Sequence, residues 1–215
     1  YYCLYIFIIK NKIVTLVSEY IILGKGNSAK NIVFLIDKKI PFKFKDLKEI
    51  KKESKKKFKK KLFIISYAKN LKLRSDTFEF IKKKKLKLAN ILCKSSIIHS
   101  SVKIKNGCVV ESFVKVFNGS IVGENVMIEA GSTIGSFNKI GKNTVIAQHV
   151  NTGAKVLIGS NCMIGMGATI TPNCKIGNNC FISANETIRN KIPNNSIVFK
   201  GKILKKDKLL DKYFE

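Results

Sequence analysis

Two consecutive hexamers, Ile134-Gly135-Ser136-Phe137-Asn138-Lys139 and Ile140-Gly141-Lys142-Asn143-Thr144-Val145, decide the fold. Each opens on isoleucine followed by glycine, and the next opens on Ile146. Stepping outward by six in both directions gives a series from Ile98 to Ile188, and fifteen of its sixteen members are Ile or Val. Thr152 is the single departure. Neither a heptad nor a helix, which repeats every 3.6 residues, produces a period of six.

The other columns of the repeat carry their own chemistry. The residue after the aliphatic is Gly at 123, 135, 141, 153, 159, 165 and 177. Two places further on, the column from Ser101 to Asn185 is Gly or Asn at ten of fifteen positions. Both tolerate left-handed backbone angles at little cost, so each hexamer is predicted to end in a tight corner. The next column, Val102 to Glu186, is small or β-branched at thirteen of fifteen positions and contains Cys108, Cys162, Cys174 and Cys180. These cysteines read as small buried fillers, not disulfide partners, which fits a reducing cytoplasm. Short strands, regular corners and two inward side chains per hexamer describe a triangular prism with three hexamers per coil. That is the hexapeptide-repeat parallel β-helix, with five to six coils over 91–192. Pro193 cannot donate to a sheet ladder and marks the end. A loose, Lys-rich C-terminal tail is expected over 193–215.

The segment 18–90 alternates strand and helix. Tyr20–Leu23 reads as a strand, Gly24 to Ser28 as a small-residue turn and Ala29–Asp37 as a helix. A second strand, Leu62–Ser66, precedes Asn70, Arg74 and an amphipathic helix with Phe78, Phe80 and Ile81. This is a small Rossmann-like α/β domain. The stretch between Pro41 and Lys61 is too short and charged for the usual second strand, so the domain is expected to be abbreviated. Glycines at a strand–helix turn let backbone approach a phosphate. Residues 1–17 are set apart as an uncertain N-terminal extension.

Composition excludes several classes. The net charge is +27, yet only Arg74 and Arg189 among 41 basic residues are arginine. Base readout leans on arginine forks, so a nucleic-acid surface is disfavoured and the lysines read as solvated faces. No apolar run reaches a membrane span of about 18 residues. His99 and His149 are the only histidines, which leaves no His-rich metal centre.

A glycine-turn α/β segment followed by a hexapeptide β-helix resembles the sialic acid O-acetyltransferase family of bacterial sugar acyltransferases, which includes UDP-amino-sugar N-acetyltransferases. The resemblance rests on Tyr20–Ala29, Phe63–Arg74, the linker Leu88–Ser101, and Ile158–Lys205. It implies a left-handed prism, a homotrimer, acetyl-CoA as co-substrate between neighbouring β-helices, and a sugar or nucleotide-sugar held by the N-terminal domain. It also implies attack by a sugar amine or hydroxyl on the thioester, with a histidine as general base beside an acidic residue. By register the histidine falls on Ser136, the acidic neighbour on Phe137 and an upstream asparagine on Glu129. Acetyl-CoA contacts fall on Val145, Ala154, Met166 and Ala184. The sugar-nucleotide turn falls on Gly26, Asn27 and Ser28. His149, in the corner column, is the remaining imidazole that a displaced base would use. The alternative is a weak or inactive relative that binds a nucleotide-sugar or a partner.

Overall fold

The computed structural model describes residues 19–36 and 40–205. Residues 1–17 and the tail beyond 205 lie outside the described residues. The chain opens with β1 (Glu19–Leu23), α1 (Asn27–Leu35), β2 (Phe42–Lys45), α2 (Leu47–Lys52), β3 (Lys61–Ile65), α3 (Leu71–Lys83) and β4 (Lys87–Leu88). The strands form one parallel sheet in the order β2-β1-β3-β4. Every residue of β1 is buried, as expected of a parallel strand covered on both faces. Its alternate side chains feed two cores. Tyr20 and Ile22 pack with Ile32 of α1, while Ile21 and Leu23 pack with Ile50, Phe78 and Ile81.

The expectation that 41–61 lacks a second strand is corrected here. β2 pairs with β1 from Tyr20↔Phe42 to Leu23↔Lys45. An edge strand needs a ladder on one side only, and lysines are an ordinary edge device. Charge therefore does not exclude it. A capping box of Asp46 and Glu49 then starts α2.

From Ile91 the chain coils into the parallel β-helix that the repeat foretold, with the left-handed winding that the resemblance implied. Its first face carries Val109–Val110, Met127–Ile128, Val145–Ile146 and Met163–Ile164. The second carries Lys115–Val116, Thr133–Ile134 and Asn151–Thr152, and the third Ile121–Val122, Lys139–Ile140 and Leu157–Ile158. Register partners are 18 apart, as in Met127↔Val145. Every corner residue from Gly107 to Asn185 has positive φ, including Phe137 (58°), His149 (56°) and Lys155 (58°). The glycines two places earlier serve another purpose. A Cβ on Gly141 would lie 2.5 Å from the carbonyl carbon of Gly159, and one on Gly159 would meet Gly177 equally closely. They are required by the approach of coil to coil.

The small column lines the interior and supplies donors. Cys108 Sγ donates to the Gly123 carbonyl at 3.0 Å and Cys162 Sγ to Gly177 at 3.0 Å. Ser120, Ser132 and Thr144 hydroxyls make the same bond to the carbonyl fifteen residues on, at 2.8–2.9 Å. Two irregularities of the repeat answer each other. Asn138, in the small column, donates its amide to Thr152, the break in the aliphatic column. Asn138 Oδ1 accepts the Val156 amide, and Thr152 Oγ1 accepts the Gly135 amide.

The C-terminal stretch is more ordered than a loose tail. Ser196–Phe199 adds a strand beside Phe181–Ile182 and buries Ile197 and Val198, then pairs antiparallel with Lys202–Lys205. A prism must close its last coil, and these residues do so.

Two outcomes follow. Thr152→Val restores the aliphatic pattern but strands the buried Asn138 amide, so urea unfolding should show a loss of about 1–3 kcal/mol. The cysteines at 93, 108, 162, 174 and 180 are buried, and burial pushes the Cys108 thiol up to about 12. A thiol reagent should therefore label none of these five in the folded protein; rapid native labelling would contradict their placement.

Candidate active site

The C-terminal ends of β1 and β3 open one candidate surface, where parallel sheets place their ligand crevices. Gly24 has φ 122°, and a Cβ there would collide with Ser66, so this loop and the end of β3 approach closely. Gly26 caps α1 in extended geometry, and its carbonyl accepts the amides of Ala29 and Lys30. Around Gly26 there is open space where a side chain would stand. Gly26 and Asn27 are exposed and Ser28 half-buried, so the three form an accessible helix start. Lys25 flanks it and pairs with Glu49 at 2.8 Å.

The prism positions divide between two corners that border the second face. Ser136 and Ala154 stack one coil apart where the second face turns into the third. Met166 and Ala184 stack where the first turns into the second, and His149 lies on that same corner. Within one chain, Ser136 and His149 are therefore on different corners. Ser136 Oγ is tied to Asn118 Oδ1 at 2.7 Å. Phe137 is 53% exposed and lies against Gly119 of the preceding coil. His149 is exposed; its imidazole lies 2.7 Å from where a Cβ of Gly131 would stand. No carboxylate hydrogen-bonds that imidazole among the described residues. Val145 is 1% exposed and belongs to the core shared with the α/β domain, so its side chain offers nothing to a surface ligand.

Arg74 and Glu111, outside the expected set, stand out with Glu129, where the resemblance places an asparagine. Arg74 of α3 is fully buried, yet it makes no salt bridge among the described residues. Its guanidinium donates to the carbonyls of Ile65 (3.0 Å), Tyr67 (3.2 Å) and Asn125 (2.9 and 3.2 Å). The first two belong to the α/β domain and the third to the prism, so this side chain joins the two. Burial pulls it down to about 10. Asn125 heads a side-chain ladder through Asn143 and Asn161 at 2.7 and 2.8 Å.

Glu111 and Glu129 stack one coil apart at the end of the first-face strands, only 7% and 9% exposed. Glu111 accepts the Ala130 amide at 3.1 Å. Burial raises both carboxyls, and Glu129, further raised by Glu111, stands at about 7. A signal was available in the sequence. The same column continues as Ala147, Gly165 and Ser183, and two glutamates 18 apart break that run of small residues.

A separate groove of about 1020 Å³ runs along the third face, between Lys139, Lys175 and Lys191 over the glycines 123, 141, 159 and 177. None of the expected site residues lines it. Among the described residues no three His, Cys, Asp or Glu side chains gather as a metal site, and no helix is long and apolar enough to cross a membrane.

Residues 155–190 match the family of bacterial transferase hexapeptide (six repeats) proteins. No curated protein matches the chain. Solved structures match over nearly its whole length. A variant of perosamine N-acetyltransferase from Caulobacter crescentus, solved with CoA and GDP-perosamine, is 18% identical with a TM-score of 0.73, covering 88% of this chain and 99% of that one. The acetyltransferase domain of PglB from Neisseria gonorrhoeae, solved with acetyl coenzyme A, is 16% identical with a TM-score of 0.76, covering 86% and 98%. WeeI from Acinetobacter baumannii is 16% identical with a TM-score of 0.56, covering 86% and 99%. The chain thus has the two-part fold of these structures, a small α/β unit followed by a left-handed hexapeptide β-helix.

Arg74→Leu removes four donated bonds and leaves carbonyls of both domains unpaired. It should cost more than about 3 kcal/mol in urea unfolding and expose the loop after β3 to limited proteolysis. Wild-type resistance in that variant would mean that Arg74 does not hold the seam.

Proposed function

We propose that this chain is an acetyl-CoA-dependent acyltransferase that acetylates an amine or hydroxyl of a sugar or nucleotide-sugar, as used in bacterial surface-glycan synthesis. The observation that carries this reading is the order and docking of the two parts. The α/β unit lies on the first face, so the helix start at Gly26, Asn27 and Ser28 and the corner with Met166 and Ala184 belong to adjoining parts of one molecule. Perosamine N-acetyltransferase, of the same fold, was solved with CoA and GDP-perosamine, and the PglB domain with acetyl coenzyme A.

The working form in this reading is a homotrimer. Ile97, Phe113, Phe117, Phe137 and Met166 are exposed on the second face or its corners. Single exposed apolar residues are ordinary, but this grouping on one side marks an interface. Packing second faces about a three-fold axis brings the Ser136–Ala154 corner of one chain to the Met166–Ala184 corner of its neighbour. Acetyl-CoA then lies between them, and small Ala154 and Ala184 keep that cleft open. Cysteines serving as small buried fillers agree with a cytoplasmic location.

A second reading has a specific observation behind it. Ser136 and Phe137 stand where the resemblance places a histidine and an acid, and the Ser136 hydroxyl is already bonded to Asn118. That favours a relative that binds without turnover. Purified protein should run as a trimer by light scattering at micromolar concentration. It should also release CoA thiol from acetyl-CoA with GDP-perosamine or a UDP-linked 4-amino sugar. A monomer would contradict the intersubunit site, and binding of acetyl-CoA without thiol release would favour the second reading.

A further inference from the structure

We propose that Glu129 takes the proton from the attacking amine or hydroxyl of the acceptor and that Glu111 sets its basicity. This rests on the acyltransferase reading above.

Position is the first support. Glu129 follows Met127–Ile128 on the first face, beneath the α/β unit. The charged groups acting on it are Glu111 from the coil below, Arg74 from α3 and Lys69 from the loop after β3. From the coil above it faces the Gln148 amide, and Gln148 leads directly into the corner of His149, Met166 and Ala184. It thus stands where the sugar-side loops meet the acetyl-CoA-side corner.

The second support is that packing does not account for the two carboxylates. They are stacked, like-charged and nine-tenths buried, and neither makes a salt bridge among the described residues. Arg74 spends its hydrogen bonds on carbonyls instead of either carboxylate. Elsewhere the column is satisfied by Ala147 and Gly165. Two buried acids in place of such residues cost stability, and cost of this kind gathers at functional sites.

The chemistry matches. A carboxyl standing at about 7 is about half deprotonated near neutral pH and still basic, which is where a general base is most effective. The acceptor nitrogen or oxygen bonds to the acetyl carbon, the C–S bond of acetyl-CoA breaks, the acceptor's proton passes to a Glu129 oxygen, and the departing CoA leaves as thiolate. A carboxylate here supplies the basicity that Ser136 lacks. Glu111 acts through Glu129 and is a positioning residue.

The test uses the intact protein with acetyl-CoA and either GDP-perosamine or a UDP-linked 4-amino sugar. Wild-type kcat/KM should rise with pH through an apparent value near 7. Glu129→Gln should lose about 10²- to 10⁴-fold in kcat, keep the acetyl-CoA affinity and lose that pH dependence. Glu111→Gln removes a neighbouring negative charge, so the apparent value should fall while kcat changes less than tenfold. Formate should restore part of the activity of Glu129→Ala, a response that a structural defect would not give. If wild type is active and Glu129→Gln keeps its rate and pH profile, or if His149→Ala alone abolishes the profile, the base assignment is overturned and the acyltransferase reading stands. If wild type binds acetyl-CoA but transfers nothing to either sugar, both fall together.

Discussion

Each coil of the prism is closed by hydrogen bonds to the coils on either side, so from Ile91 to Ile188 residue i lies in line with residue i+18. That register is the constraint on which the rest depends. It brings the backbones of successive coils close enough that Gly141 and Gly159 have no room for a Cβ. It turns one column of cysteine, serine and threonine into equivalent interior donors. It also fixes which side chains can ever meet. Glu111 sits in line with Glu129, and Ser136 with Ala154, because each pair is one coil apart. A single inserted residue would break these vertical relations at one level and shift every column beyond it.

The α/β unit uses the register as a docking surface. The outward residues Val109, Met127 and Val145 form an apolar ladder on the first face, and the strand residues Tyr20 and Ile22 complete that core. Arg74 then pins the seam by binding carbonyls from both sides. A guanidinium is suited to this, since its forked donors serve several acceptors at once. Glu111 and Glu129 follow the ladder residues Val109 and Met127 on the first face, and their burial raises both carboxyls.

Much of this was legible in the sequence because a period of six has few structural solutions. The aliphatic column, the left-handed corners and the buried thiols all follow from it. What could not be read came from relations that no column displays. The Asn138–Thr152 bond joins two irregularities fourteen residues apart, and only the three-dimensional register shows that they meet. Strand β2 was missed because lysine content was weighed as a barrier, whereas an edge strand keeps such residues in water. Val145 was placed at a ligand surface by register alone, but the docked α/β unit covers it. Ser136 is placed by the family register and His149 as the remaining imidazole, and the fold puts them on separate corners. Glu111 and Glu129 are visible as exceptions in a small-residue column, but their burial is not.

The central claim is that the cofactor cleft lies at the two corners flanking the second face. Hydrogen–deuterium exchange of the protein with and without acetyl-CoA tests it most directly. Binding should slow exchange at backbone amides around Ser136–Ala154 and around Met166–Ala184. Protection confined to the third-face groove between Lys139 and Lys175, with both corners unchanged, would contradict the account.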